Sequence, residues 1–184
     1  MSRRALQAKL EAMRPRLYRL AWAWCHEHDM AEELTQSAYA RALASLDALR
    51  DEERLEPWMC AIIANLWKDH LRRHSIEGEQ EPDELPDPTK FGGDPETDAQ
   101  THDIVREVRS AVARLRPEHR MVVTLVDLMD MSYADVARVL EIPAGTVMSR
   151  LSRARAKLKE YLEAFQTDAA PKPVARVIPF RRRA

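Results

Sequence analysis

The chain has 184 residues, 32% of them charged and 6% aromatic, with only four glycines and a formal net charge of −1. That mix suits an amphipathic all-helical protein and excludes a sandwich or barrel, which needs Gly-rich turns and β-branched alternation. Two cysteines, Cys25 and Cys60, cannot form a disulfide framework. The N-terminus has no signal-peptide apolar core. The longest uncharged apolar-rich run, 57–67, has 11 residues, where a membrane-spanning helix needs about 20. The expectation is a soluble, cytoplasmic, non-membrane protein with reduced thiols.

Three helices are legible in residues 1–74. The first carries Leu6, Leu10, Met13, Leu17, Leu20 and Trp24 at spacings of four and three. Leu34, Ala38, Ala42 and Leu46 form the stripe of the second, and Leu55, Met59, Ile62 and Leu66 that of the third. On a helical wheel, Trp58, Asn65, Asp69 and Arg72 of the third helix cluster beside that stripe, with Lys68 and Arg73 flanking. Such a face is either the edge of a core, where Trp commonly sits, or a platform for unstacked bases. His70 and His74 have the i, i+4 spacing of a metal pair, but nothing nearby in sequence completes a ligand set. Glu32, Glu33 and Gln36 near the start of the second helix suit its dipole.

Residues 75–103 break the pattern. They hold three of the four glycines, four prolines, ten acidic residues and one basic residue. This reads as an extended, flexible acidic linker. Residues 1–74 carry 12 basic and 11 acidic side chains, and residues 104–166 carry 11 and eight. The second segment is therefore the one suited to a polyanion.

Four helices follow over 104–166. The first runs from Ile104 to Leu115, and Pro117 opens the second at a favoured first helical position. Ser132-Tyr133-Ala134-Asp135 reads as a capping box for a short third helix ending near Glu141. Pro143-Ala144-Gly145-Thr146 opens a long fourth helix reaching about Gln166. A short helix, a tight turn and a second helix make a helix-turn-helix. On the last helix, Val147, Leu151, Ala154 and Leu158 face inward, while Ser149, Ser152, Arg153 and Ala156 lie opposite. Small residues beside one Arg let a helix sink into a major groove while the guanidinium reaches base edges. Arg150, Arg155, Lys157 and Lys159 flank that surface, and no acidic residue occurs between Ala144 and Lys159. A plain helical hairpin with a solvated basic face is the competing reading. The tail, 167–184, is rich in Pro and Arg. No nucleophile elbow, Gly-rich phosphate loop, metal set or cofactor motif is present, so no enzymatic activity is expected.

These residues carry a family resemblance. Arg116-Pro117-Glu118-His119-Arg120, then Ser132 to Ala137, then Ile142 to Arg155 resemble region 4 of an extracytoplasmic-function sigma factor. Ala31 to Gln36 is similar to the start of the polymerase-binding helix of region 2, and 58–73 to its promoter-melting helix.

The resemblance implies an alternative sigma factor, all-α, with a three-helix region 2 and a four-helix region 4. Region 2 would bind core RNA polymerase through Glu32, Glu33, Leu34 and Gln36. It would melt and read the −10 element through Arg54, Trp58, Asn65, Lys68, Asp69, Arg72 and Arg73. Region 4 would read −35 duplex through Tyr133, Thr146, Met148, Ser149, Arg150, Ser152, Arg153, Arg155 and Lys157. The linker would occupy the RNA exit path. The resemblance further implies control by an anti-sigma factor; no apolar stripe is left for a dimer, so the free protein is expected to be a monomer. Met148 stands where the family often has Lys or Arg. Glu141 stands where Gly is common, at a helix end that can require positive φ. A sigma-like mimic that never touches DNA would have a decayed recognition helix, and a stand-alone repressor would need a dimer interface.

Overall fold

The computed structural model describes residues 3–49, 51–76 and 99–168, and among these every regular element is helical. The first half is α1 (Arg3–Cys25), α2 (His28–Ala44) and α3 (Leu55–Ile76), with single 3₁₀ turns at Leu46–Ala48 and Glu52–Arg54 between the last two. The second half is α4 (Ala99–Ala113), α5 (Pro117–Val123), a π-helical segment at Thr124–Leu128, α6 (Tyr133–Leu140) and α7 (Ala144–Asp168). Residues 77–98 and 169–184, which hold most of the expected linker and tail, lie outside the described residues.

The stripes of α1 and α2 are buried as expected except at Met13, which is half-buried: Leu6, Leu10, Leu17, Leu20 and Trp24 meet Leu34, Ala38, Ala42 and Leu46. The stripe of α3 differs. Leu55 and Met59 are buried as expected, but Ile62 and Leu66 are only half-buried, and Cys60, Ile63, Ala64 and Trp67 complete the core instead. The reason is that α3 is covered from two sides, by α1 and α2 on one and by α6 on the other. A helix with two partners buries a wider arc than one stripe.

Local signals at the second half hold closely. Pro117 occupies the first turn of α5. The Ser132 hydroxyl accepts from the Asp135 amide at 3.1 Å and caps α6. Glu141 ends α6 at φ 59°, ψ 43°, the left-handed cap that costs a non-Gly residue about 1 kcal/mol. The first helix of this half starts earlier than expected, at Ala99 rather than Ile104, so the end of the expected linker is helical.

The two halves pack together. Trp24 is fully buried, and its indole Nε1 donates to Thr124 Oγ1 at 2.7 Å. Arg120 donates from Nη1 to the Trp24 carbonyl at 2.6 Å and from Nη2 to the Leu115 carbonyl at 2.9 Å. Lys68 of α3 donates to the Leu140 carbonyl at the end of α6, at 3.0 Å.

His26 follows α1 at φ 56°, its amide donating to the Trp22 carbonyl at 2.8 Å. Burial, helped by the Arg120 charge, lowers its pKa from 6.5 to about 3. The unfolded chain therefore binds a proton below pH 6.5 that the folded chain refuses until about pH 3. Stability is fully present above that range and falls as pH drops through it. In His26→Asn, which tolerates the left-handed backbone, chemical denaturation between pH 7 and 5 should lose part of this slope; a slope equal to wild type contradicts the assignment.

Candidate nucleic-acid interface

The α6–α7 pair presents the faces that the wheel assigns. Val147, Leu151 and Ala154 are buried against the second half, with Leu158 half-buried. Ser149, Ser152, Arg153 and Ala156 are all exposed. Met148 is 52% exposed and Tyr133, at the first turn of α6, 43%. Thr146 sits in the first turn of α7, and its carbonyl accepts the Ser149 hydroxyl at 3.0 Å. The Ser149 donor is thereby engaged within the helix, which leaves its lone pairs outward.

The cations of this face divide into two groups. Arg155 is held by both its Nε and Nη2 on Asp127 of the π-helical segment, at 3.3 and 2.5 Å. Lys157 pairs with Glu160 at 2.8 Å and Lys159 with Glu163 at 3.7 Å. Arg150 and Arg153, by contrast, make no ion pair among the described residues. A guanidinium without a carboxylate keeps its planar fork of donors for a base edge or phosphate. Sequence spacing had placed Arg155 on the flank beside Arg150; its pairing with Asp127 across 28 positions was not readable there.

On α3, the predicted face comes together but is partly covered. Asn65, Arg72 and Arg73 are exposed, Trp58, Lys68 and Asp69 half-buried. Trp58 packs on the core edge and also lines a cleft shared by Arg54, Pro57 and Ala61 with Asp135, Arg138 and Val139 of α6. Trp58 thus sits at the edge of the core with one side on that cleft. Arg72 pairs with Asp69, Arg54 with Asp51 at 3.4 Å, and Lys68 is spent on α6.

On α2, Glu33 and Gln36 are exposed. Glu32 accepts from Gln36 at 3.1 Å and pairs with Arg14, contacts that lower its pKa. Leu34 is 4% exposed and falls in the buried stripe with Ala31 and Ala38, so in the free chain it packs α2 on the core.

Arg114, Arg116 and His119 gather beside α7, a grouping the sequence did not show although Arg116 and His119 stand in the quoted region 4 run. The signal available was Arg116 next to Pro117, at the N-cap of α5. Burial raises the Cys25 thiol to about 11 and Cys60 to about 12, so neither is a thiolate nucleophile near neutral pH. His74 Nδ1 lies 3.0 Å from the His70 carbonyl, and no group of three or more metal-ligating side chains occurs among the described residues. No described helix is long and apolar enough to cross a membrane.

Comparison with known proteins matches this geometry. Residues 10–76 match sigma-70 region 2, and residues 105–158 match sigma-70 region 4. The chain is 30% identical over 172 residues to the ECF RNA polymerase sigma factor SigC of Mycobacterium tuberculosis, covering 91% of this chain and 85% of that one. It is 30% identical over 156 residues to the ECF RNA polymerase sigma factor SigE of Mycolicibacterium smegmatis, 84% of this chain and 60% of SigE. Among solved structures, the sigma factor RpoE in complex with the anti-sigma factor NepR from Bartonella quintana superposes with TM-score 0.69 and 25% identity, over 85% of this chain and 96% of that one. The fold is also that of CnrH in complex with the cytosolic domain of CnrY, at TM-score 0.63 and 23% identity over 89% of this chain and 90% of that one.

A fold of two helical halves with an exposed helix-turn-helix, matched by both regions, is that of a sigma-70 family protein. The chain belongs to its extracytoplasmic-function group.

The exposed Arg153 on this face gives a direct check. Arg153→Ala should relax −35 base preference in promoter binding by about 1–3 kcal/mol at one position. Competition among single-base −35 variants measures it, and an unchanged preference profile would show that this side chain reads no base.

Proposed function

We propose that this chain is an alternative sigma factor that directs core RNA polymerase to promoters by reading the −35 element with α7 and the −10 element with α3. The observation that carries the reading is the outward face of α7. Small side chains at Ser149, Ser152 and Ala156 surround the unpaired Arg153, on a helix stretch with no acidic residue from 144 to 159. That surface fits a major groove and repels nothing a phosphate carries. Residues 1–74 act as region 2 and 104–166 as region 4, joined by 75–103. Glu33 and Gln36 on the open side of α2 face the polymerase. The protein works in the cytoplasm as a monomer without cofactor or catalysis, under the control of an anti-sigma factor.

The reading requires the halves to part. The two promoter elements are centred about 25 base pairs apart, ~85 Å of duplex at ~3.4 Å per pair. In the structure, α3 and α6 touch through Lys68 and the Leu140 carbonyl. The chain from 77 to 98 can bridge at most ~75 Å when fully extended, which with the width of each half suffices. Separation would also uncover Trp58 for a flipped base.

Run-off transcription with purified core polymerase on a randomised promoter library tests the proposal. The expected result is enrichment of one −35/−10 pair that depends on added chain. Stable binding to core with no enriched promoter would contradict it, as would tight duplex binding that core does not affect.

A further inference from the structure

A cleft of about 370 Å³ lies on the seam between the two halves. Trp22 and Ala23 of α1 line it from the first half; Val108 and Val112 of α4, Leu128 of the π-helical segment and Leu158 of α7 line it from the second. A largely apolar cleft of that volume is the size of a small-molecule pocket, and such pockets favour the places where domains meet. The apolar surface continues outward: Val108 is 42% exposed, and Ile104, one turn earlier on the same face of α4, is 62% exposed. The promoter-reading faces of α3 and α7 use none of these side chains.

The polar side chains of the cleft define the ligand. They are Arg19, His26, Arg109, Thr124 and Asp127. The Thr124 hydroxyl is spent on the Trp24 indole and the Arg120 carbonyl. His26, its pKa lowered by burial to about 3, is neutral near pH 7. Asp127 accepts from Arg155 Nε at 3.3 Å and from Nη2 at 2.5 Å, so its charge is already met. Two guanidiniums remain. Arg19 is exposed and makes no ion pair among the described residues. The Arg109 guanidinium lies over the Trp22 ring, 5.3 Å from its centroid, at the apolar wall. An apolar trough edged by two cations suits a molecule with an apolar body and one anionic end, and the planar fork of a guanidinium matches a carboxylate.

We infer that this cleft binds an amphiphilic carboxylate, an alkyl or aromatic body ended by one carboxyl group, and that the bound ligand holds the two halves together. Its body meets α1 on one side and α4, the π-helical segment and α7 on the other, so the complete site exists only in the closed arrangement. A ligand that binds one of two states shifts the population toward that state. At a free concentration about a hundred times its Kd, the ratio of closed to open chain rises about a hundredfold. Because promoter reading requires the halves to part, such a ligand lowers transcription. That consequence rests on the promoter-reading proposal; the site itself does not.

Titration calorimetry of the full chain with decanoate, kept well below its micellar concentration, tests the site, with decanol and decyltrimethylammonium as the uncharged and cationic counterparts. Decanoate should bind saturably, one per chain, and more tightly than either counterpart. Arg19→Gln and Arg109→Gln should each weaken it about tenfold, the worth of one charge-assisted hydrogen bond. Val108→Trp, at a position open enough to take the larger ring, should fill the cleft and abolish binding. Decanol or the alkylammonium binding as tightly as decanoate would overturn the site, as would wild-type affinity in all three variants. In run-off transcription with core polymerase, saturating decanoate should lower the output of the wild-type chain and leave that of Val108→Trp unchanged. Full wild-type output at saturation would overturn the closing role. Decanoate binding to a chain that starts no transcription with core would sink the promoter reading and leave the site standing.

Discussion

The arrangement of the whole chain depends on how the last turn of α1 is satisfied. A helix end leaves carbonyls without intrahelical partners, and burying them unpaired is costly. Here the Trp24 carbonyl takes a donor from Arg120, a residue 96 positions away. Arg120 also binds the Leu115 carbonyl that closes the turn before α5. The Thr124 hydroxyl accepts from the Trp24 indole and donates to the Arg120 carbonyl at 2.7 Å. One buried Trp, one guanidinium and one hydroxyl thus knit the end of the first half to the start of the second. Burial lowers the Arg120 pKa to about 10, and its charge still stands at neutral pH, held by carbonyl dipoles instead of a carboxylate.

That junction decides which surfaces are available. It sets α3 against α6, so Lys68 is tied down and Trp58 looks into a cleft rather than into open solvent. It leaves α7 and the α4–α5 corner facing outward. The two surfaces proposed to face DNA are therefore unequal in the free chain: that of α7 is exposed and that of α3 is half covered.

Much of this was legible in the sequence because it is local. The capping box at Ser132, the first-turn Pro117, the left-handed cap at Glu141 and the opposed faces of α7 each follow from residues within one or two turns of one another. What was not legible depends on partners distant in sequence. The rotation of the α3 stripe from Ile62 and Leu66 to Ile63 and Trp67 needs a second helix on its far side. The pairing of Arg155 with Asp127, the burial of Leu34 and the gathering of Arg114, Arg116 and His119 beside α7 likewise need the packed fold. The π-helical segment at Thr124–Leu128 has no sequence mark either, yet it supplies both Thr124 to the junction and Asp127 to Arg155.

The central claim is that one compact arrangement, latched at Trp24 and Arg120, must open for the chain to hold a promoter at two places. A spin-label pair on exposed positions Ala40 of α2 and Lys159 of α7 measures this directly, in a background lacking the native thiols. The distance should be narrowly distributed in the free chain and longer by tens of ångströms in a transcribing complex with core polymerase and promoter. An active complex that keeps the distance of the free chain would contradict the account.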